Sequence, residues 1–332
     1  MTGLIRRIDR YSMMLLATVL LASVLPAVGT MAQVLGWITR AAIALLFFLH
    51  GAKLSREAIV AGATNWKLHA AVLALTFAVF PLLGIGLGGV LGSILEPGLV
   101  TGIVFLALLP STVQSSIAFT SIARGNVPAA VCAATLSNIL GIFLTPLLVA
   151  LVIGAASRGS DDGWLGSVGA IVVQLLLPFI LGHLCRPLLK DLLARHKSLV
   201  TGLDRGSILL VVYGAFSAAV VEGLWHAVPG WQIGALVVAD AVLLAIVLAL
   251  SHQAGQALGL DSADRATLLF CGSKKSLASG VPMAGVLFPA AQVGAVILPL
   301  MIFHQLQLLV CAAIAQRMAA SGSELSAAQA AG

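Results

Sequence analysis

Two adjacent lysines, Lys274 and Lys275, fall inside an otherwise apolar stretch from Ala266 to Val286. At a bilayer centre each lysine costs about 2.5–3.5 kcal/mol on insertion scales, so such cations mark a working centre. They sit in the run Cys271-Gly272-Ser273-Lys274-Lys275-Ser276, whose glycine and hydroxyls can interrupt a helix. A second run, Leu109-Pro110-Ser111-Thr112-Val113-Gln114-Ser115-Ser116, has the same character. Pro110 withdraws a donor and frees a carbonyl, while Gly272 and Gly280 permit close or unusual backbone paths. An interrupted membrane helix offers free N–H groups and a positive dipole end, with hydroxyls and amides as further hydrogen-bond groups. Together these can cradle an anion or a small cation, provided the unwound backbone lines a polar cavity or is buried in protein.

Further candidates border these runs. Gln114, Ser115, Ser116 and Thr120 flank the first break, and Ser137 and Asn138 follow in the next apolar segment. Asp240 is the one acid well inside an expected span, where it either neutralises a lysine or faces an aqueous cavity or a local hydroxyl. His304, close to Gln305 and Gln307, is either a proton relay or a core histidine that satisfies local hydrogen bonds. Adjacent residues point about 100° apart on a helix, so Lys274 and Lys275 should find different partners. A desolvated lysine can also carry a transported proton. Cys132, Cys185, Cys271 and Cys311 have no metal-like spacing and read as apolar packing residues. No metal or cofactor is expected, and without a nucleotide-binding loop neither is direct ATP drive.

The elements that must position these residues are membrane spans. The 332-residue chain is 60% hydrophobic and 9% charged, against ~25% charge in an ordinary soluble domain, and its mean hydropathy is +1.09. About 20 apolar residues make one helical crossing. The hydrophobic blocks predict ten: 11–28, 33–52, 67–91, 98–123, 127–154, 164–188, 204–222, 231–257, 264–287 and 291–316. In that arrangement the cationic loop and terminal residues collect on one side, including Arg6, Arg7, Lys53, Arg56, Arg124, Arg186, Arg205 and Arg265. Arg158 alone lies opposite, with Arg40, Lys274 and Lys275 inside spans. Both termini are therefore expected in the cytoplasm, and the net charge of +6 is topological rather than a nucleic-acid signal. Trp37, Trp66, Trp164, Trp225 and Trp231 fall near expected helix ends, where indole prefers the headgroup layer. The apolar run after Arg6 and Arg7 is long and ends without a good cleavage site, so it reads as a span rather than a leader.

The longest polar interruption, Ala155 to Gly163, divides the spans five and five. An odd number per half forces opposite orientations if the halves are repeats, and the fourth span of each half is the broken one. Corresponding interrupted helices point to a midplane site in a secondary transporter. The expected organisation is one transmembrane domain, 1–318, with repeats at about 11–154 and 164–316 and a disordered cytoplasmic tail at 319–332.

At these residues the chain resembles the bile acid:sodium symporter superfamily, in particular its YfeH-like bacterial branch. The resemblance runs from about Thr39 to Gln316, and Phe270-Cys271-Gly272-Ser273-Lys274-Lys275-Ser276-Leu277-Ala278 is its most specific signature. It implies a core domain from spans 3–5 and 8–10, a panel domain from spans 1, 2, 6 and 7, and broken spans 4 and 9 that cross. Sodium-coupled members carry an acid in the ninth helix, then Gln-Asn before a serine. Anchored on Ser276, this chain has Phe270 for the acid and Lys274-Lys275 for Gln-Asn. Their fifth-helix Ser and Thr ligands become Ala130 and Ala134, and their fourth-helix Ser-Asn becomes Ser115-Ser116. An oxygen-lined ion site does not survive these exchanges with a fixed ammonium beside it.

The reading that follows is an all-α, polytopic secondary transporter working by alternating access, with an organic anion or related small solute as cargo. Sodium coupling through the family's usual sites is not expected, and H+ or Na+ stays open as the coupling ion. One alternative is a non-transporting membrane regulator of ion homeostasis. Another is an intramembrane Ser–Lys enzyme, although HExxH, GxSxG and paired intramembrane aspartates are absent.

Overall fold

The computed structural model describes residues 10–53, 65–156 and 175–330, and among them the chain is helical with no strand. The helices are α1 (Arg10–Val24), α2 (Gly29–Lys53), α3 (Trp66–Ala74), α4 (Phe80–Leu91), α5 (Pro97–Leu108), α6 (Gln114–Ile122) and α7 (Val127–Ala156). They continue with α8 (Leu177–Arg195), α9 (Lys197–Val221), α10 (Leu224–Ala227), α11 (Gly230–Ala257), α12 (Ser262–Gly272), α13 (Leu277–Leu287) and α14 (Ala290–Ala330). A π-helical segment, Leu75–Val79, joins α3 to α4.

Six helical stretches are long and apolar enough to cross a membrane: Gly29–Ala52, Trp66–Leu91, Val127–Gly154, Ser198–Val221, Gly230–Ala257 and Ala290–Ala320. Met13–Val24, Pro97–Leu108 and Leu177–Leu189 are shorter apolar helices. Arg6, Arg7, Arg56, Arg158, Trp164, most of the polar interruption and the first part of the sixth expected span lie outside the described residues. The last helix runs on to Ala330, past residue 318, where the sequence reading ends the transmembrane domain.

Both anticipated interruptions are present, between α5 and α6 and between α12 and α13. Pro110 ends α5 by forcing its predecessor out of helical geometry, and Leu109 is extended at φ −78°, ψ 157°. The helices after each break start differently. Ser276 caps α13 by accepting the Ser279 N–H at 3.1 Å, whereas α6 starts from Val113 with no side-chain cap.

Glycines set the closest approaches. A Cβ at Gly51 would overlap the Phe179 carbonyl oxygen, and one at Gly182 would overlap that of Phe48, so α2 and α8 touch backbone to backbone. Gly272 and Gly280 have ordinary φ and serve proximity instead. A Cβ on the first would meet Leu75, and one on the second would meet Leu109 and Leu300.

Candidate functional site

The two breaks lie against one another and satisfy each other's main chain. Five consecutive carbonyls around the first break, all beyond the reach of a regular helical ladder, find donors from elsewhere. Ala107 and Leu109 receive the Lys275 ammonium at 2.8 and 2.6 Å. Leu108 receives Thr145 Oγ1 at 2.8 Å, Pro110 the Ser276 N–H at 2.9 Å, and Ser111 the Asn138 Nδ2 at 2.6 Å. In return, the Ser111 hydroxyl donates to the Cys271 carbonyl at 2.6 Å and the Ser116 hydroxyl to that of Phe270 at 2.9 Å.

The third acceptor of Lys275 comes from the π segment. Its Nζ donates to the Thr76 carbonyl at 2.8 Å. That oxygen is free for a local reason: the Phe80 N–H, four residues on, bonds to Leu75 instead, and the next position is Pro81, which has no N–H. Two prolines thus release three carbonyls, and one ammonium takes them all, using each of its three donors. Phe80 adds its ring face 4.1 Å from Nζ.

Lys274 has a different environment. It is fully buried and its Nζ has no hydrogen-bond acceptor, resting 3.8 Å from the Phe119 ring centroid and 5.6 Å from that of Phe270. Cys271, Cys311 and His304 are close enough to feel its charge. The lysines do have separate partners, though not because of helical rotation, since both sit in the non-helical break.

Each break is braced by the next long helix. From α7, Asn138 reaches both: its Nδ2 holds Ser111 and its Oδ1 accepts the Ser279 hydroxyl at 2.9 Å, while Ser137 Oγ accepts the Ser111 N–H at 3.0 Å. From α14, Gln307 accepts the Lys275 N–H at 2.9 Å and donates to its carbonyl at 3.0 Å. This orientation of the amide makes Nε2 the donor to His304 Nδ1 at 2.9 Å, so Nδ1 acts as an acceptor and carries no proton here.

The other sequence candidates are more scattered. Ser273 donates to the Leu269 carbonyl within its own helix end, and Ser115 and Thr120 have buried hydroxyls without partners. Gln114 is exposed. Asp240 does not neutralise a lysine: it is buried, lies against the main chain of Phe303, and neither oxygen makes an ion pair or a hydrogen bond of ordinary geometry. Lys275 has its donors filled by carbonyls, and the Lys274 ammonium lies against the Phe119 and Phe270 rings rather than a carboxylate. Among the described residues no cluster could hold a metal ion.

Several participants escaped the sequence reading. Main-chain oxygens leave no side-chain signature, and Thr76 was readable only through Phe80-Pro81. Ser279 had a signal, a hydroxyl three residues after the capping Ser276. Phe119 had none.

The sequence profile of the SBF-like CPA transporter family matches residues 9–320. An uncharacterised protein of Pseudomonas aeruginosa is 55% identical over 311 residues, 94% of this chain and 93% of that protein. The Escherichia coli protein named "Putative symporter YfeH" is 51% identical over 326 residues, 98% of this chain and 97% of that one. More distantly, the Sodium/bile acid cotransporter 7 of Danio rerio is 26% identical over 281 residues, covering 82% and 81% of the two chains.

Proposed function

The chain belongs to the SBF-like CPA transporter family, and on that premise we propose that it is a secondary-active transporter moving an organic anion by alternating access, without sodium coupling through the family's usual sites. The coarser part of this is established by kinship. The family and the relatives named for a role are transporters rather than enzymes, which sets aside the intramembrane Ser–Lys enzyme, and the apolar helices make it a multi-pass membrane protein.

The observation that carries the proposal is the Lys275 ammonium, held by the carbonyls of Thr76, Ala107 and Leu109 where the two breaks meet. Converging main-chain oxygens are what an alkali cation would use, and here a covalently attached cation fills them. The zebrafish relative's name joins sodium to bile acid. We carry over the amphipathic anion and not the ion.

The proposed architecture is ten crossings in two inverted repeats, about 11–154 and 164–316, with spans 4 and 9 crossing. The parallel bracing by Asn138 and Gln307, each on the long helix after its break, supports it. We place the protein in the bacterial inner membrane, after its relatives in Pseudomonas aeruginosa and Escherichia coli, with both termini cytoplasmic on the distribution of cationic residues along the chain.

The test is flux of a panel of organic anions into proteoliposomes under sodium, proton or no gradient. Uptake that needs no sodium supports the reading, and strict sodium dependence overturns it. Absence of flux for every solute and gradient would favour the non-transporting regulator.

A further inference from the structure

Lys274 and Lys275 hold their protons in opposite ways. The Lys275 ammonium gives one hydrogen to each of three carbonyls, so a proton leaving it would strand a buried oxygen without a donor. The Lys274 Nζ is as deeply buried and donates to nothing. What it meets are ring faces, with centroids at 3.8 Å for Phe119 and 5.6 Å for Phe270. A proton can therefore leave Lys274 without stranding any acceptor. While it stays, only the attraction of two π-systems offsets the lost hydration of the charge.

No counter-ion pins the charge either. Among the described residues, the titratable groups that face Lys274 are Cys271 from α12 and Cys311 and His304 from α14, with Lys275 as its neighbour in the chain. The helix that brings Phe119, α6, and the helix that follows the break, α13, contain no titratable side chain. Asp240 makes no ion pair. Phe119 and His304 are half-buried, so two of the groups around Lys274 reach accessible surface although Lys274 does not.

We propose that Lys274 is the proton-binding group of the transport cycle, loading a proton together with the anion on one side and releasing it on the other. The step is proton transfer alone. The Nζ lone pair takes H+ from hydronium in the bath, the amine becomes an ammonium, and the same N–H bond breaks, returning H+ to water, once the site has opened to the opposite bath. The charge gained favours an anionic cargo, and by linkage the cargo strengthens proton binding in return. Lys275 stays charged throughout, its donors committed to the backbone. The inference rests on the transporter reading above for the cycle, and not for the proton site itself.

The first measurement needs no solute. The purified full chain in detergent is titrated across the neutral range beside Lys274→Gln, with proton uptake counted by an indicator dye. The wild type should take up about one proton per chain more than the variant. The second uses proteoliposomes with trapped pyranine, an inward proton gradient and the panel of organic anions. In the wild type, anion entry should carry protons with it. Lys274→Met should lose gradient-driven accumulation down to the level seen without a gradient, and Lys274→His, whose imidazole also titrates, should recover part of it. A packing role predicts the reverse order, with the volume-matched Met closer to wild type. Absence of the extra proton overturns the site. An extra proton with accumulation indifferent to the proton gradient, or with Lys274→Met accumulating like wild type, overturns the coupling and leaves the transporter. An extra proton with no flux of any solute upholds proton binding at Lys274 and refutes transport.

Discussion

Gln307 holds the main chain of Lys275 on both sides, accepting its N–H at 2.9 Å and donating to its carbonyl at 3.0 Å. A single amide thereby takes the place of both neighbours the residue would have in a helix. Gln307→Leu strands two buried backbone groups, each worth about 1–3 kcal/mol when left unmade. The expected result is a clear fall in the thermal midpoint, read by dye-reported unfolding in detergent. A midpoint equal to wild type would mean that water or another side chain replaces the amide.

The two lysines should respond oppositely to the same change. Lys275→Met leaves three carbonyls without a donor and should cost several kcal/mol, on the order of 1–3 for each oxygen. Lys274→Met removes a buried ammonium that has no hydrogen-bond acceptor and keeps much of its volume, so stability should be unchanged or higher. Paired thermal unfolding of the two variants checks this, and equal losses would contradict it. If Lys274→Met is stable yet abolishes flux, that residue acts in transport rather than in holding the fold.

Asp240→Asn is expected to leave the thermal midpoint unchanged or raised, since neither carboxylate oxygen makes an ion pair or a hydrogen bond of ordinary geometry. A fall on the order of 3–5 kcal/mol, as when a buried ion pair loses one member, would show that a cation does reach it.

Pro81→Ala restores an N–H that can compete for the Thr76 carbonyl. Hydrogen exchange should show the π segment more protected, and flux should fall, because Lys275 then shares one of its three acceptors. Unaltered exchange through residues 75–81 would argue that Pro81 is not what keeps this oxygen free.

The two breaks were legible in the sequence because Pro110 lacks a donor and the hydroxyls beside each break offer the backbone other partners wherever they occur. The special position of the lysines was legible from the cost of a charge in an apolar stretch. Their partners were not, since carbonyls of Thr76, Ala107 and Leu109 come from segments up to 199 residues away in the chain and carry no residue-type signal. Of the two readings of Asp240, the pairing with a lysine is not what the structure shows, for the same reason. Composition shows that a buried cation needs compensation, but not that the backbone supplies it.

An ammonium tied to its own backbone cannot exchange with either bath. The oxygens released by Pro81 and Pro110 are therefore closed to ions that would otherwise occupy them where the two breaks meet. A tethered charge also returns with the protein after every turnover. It feels the membrane voltage only over the distance it is displaced, about 2.3 kcal/mol per 100 mV for a complete traverse, so its own round trip carries no net current. Any electrical signature of the cycle must then come from the cargo and from whatever ion accompanies it.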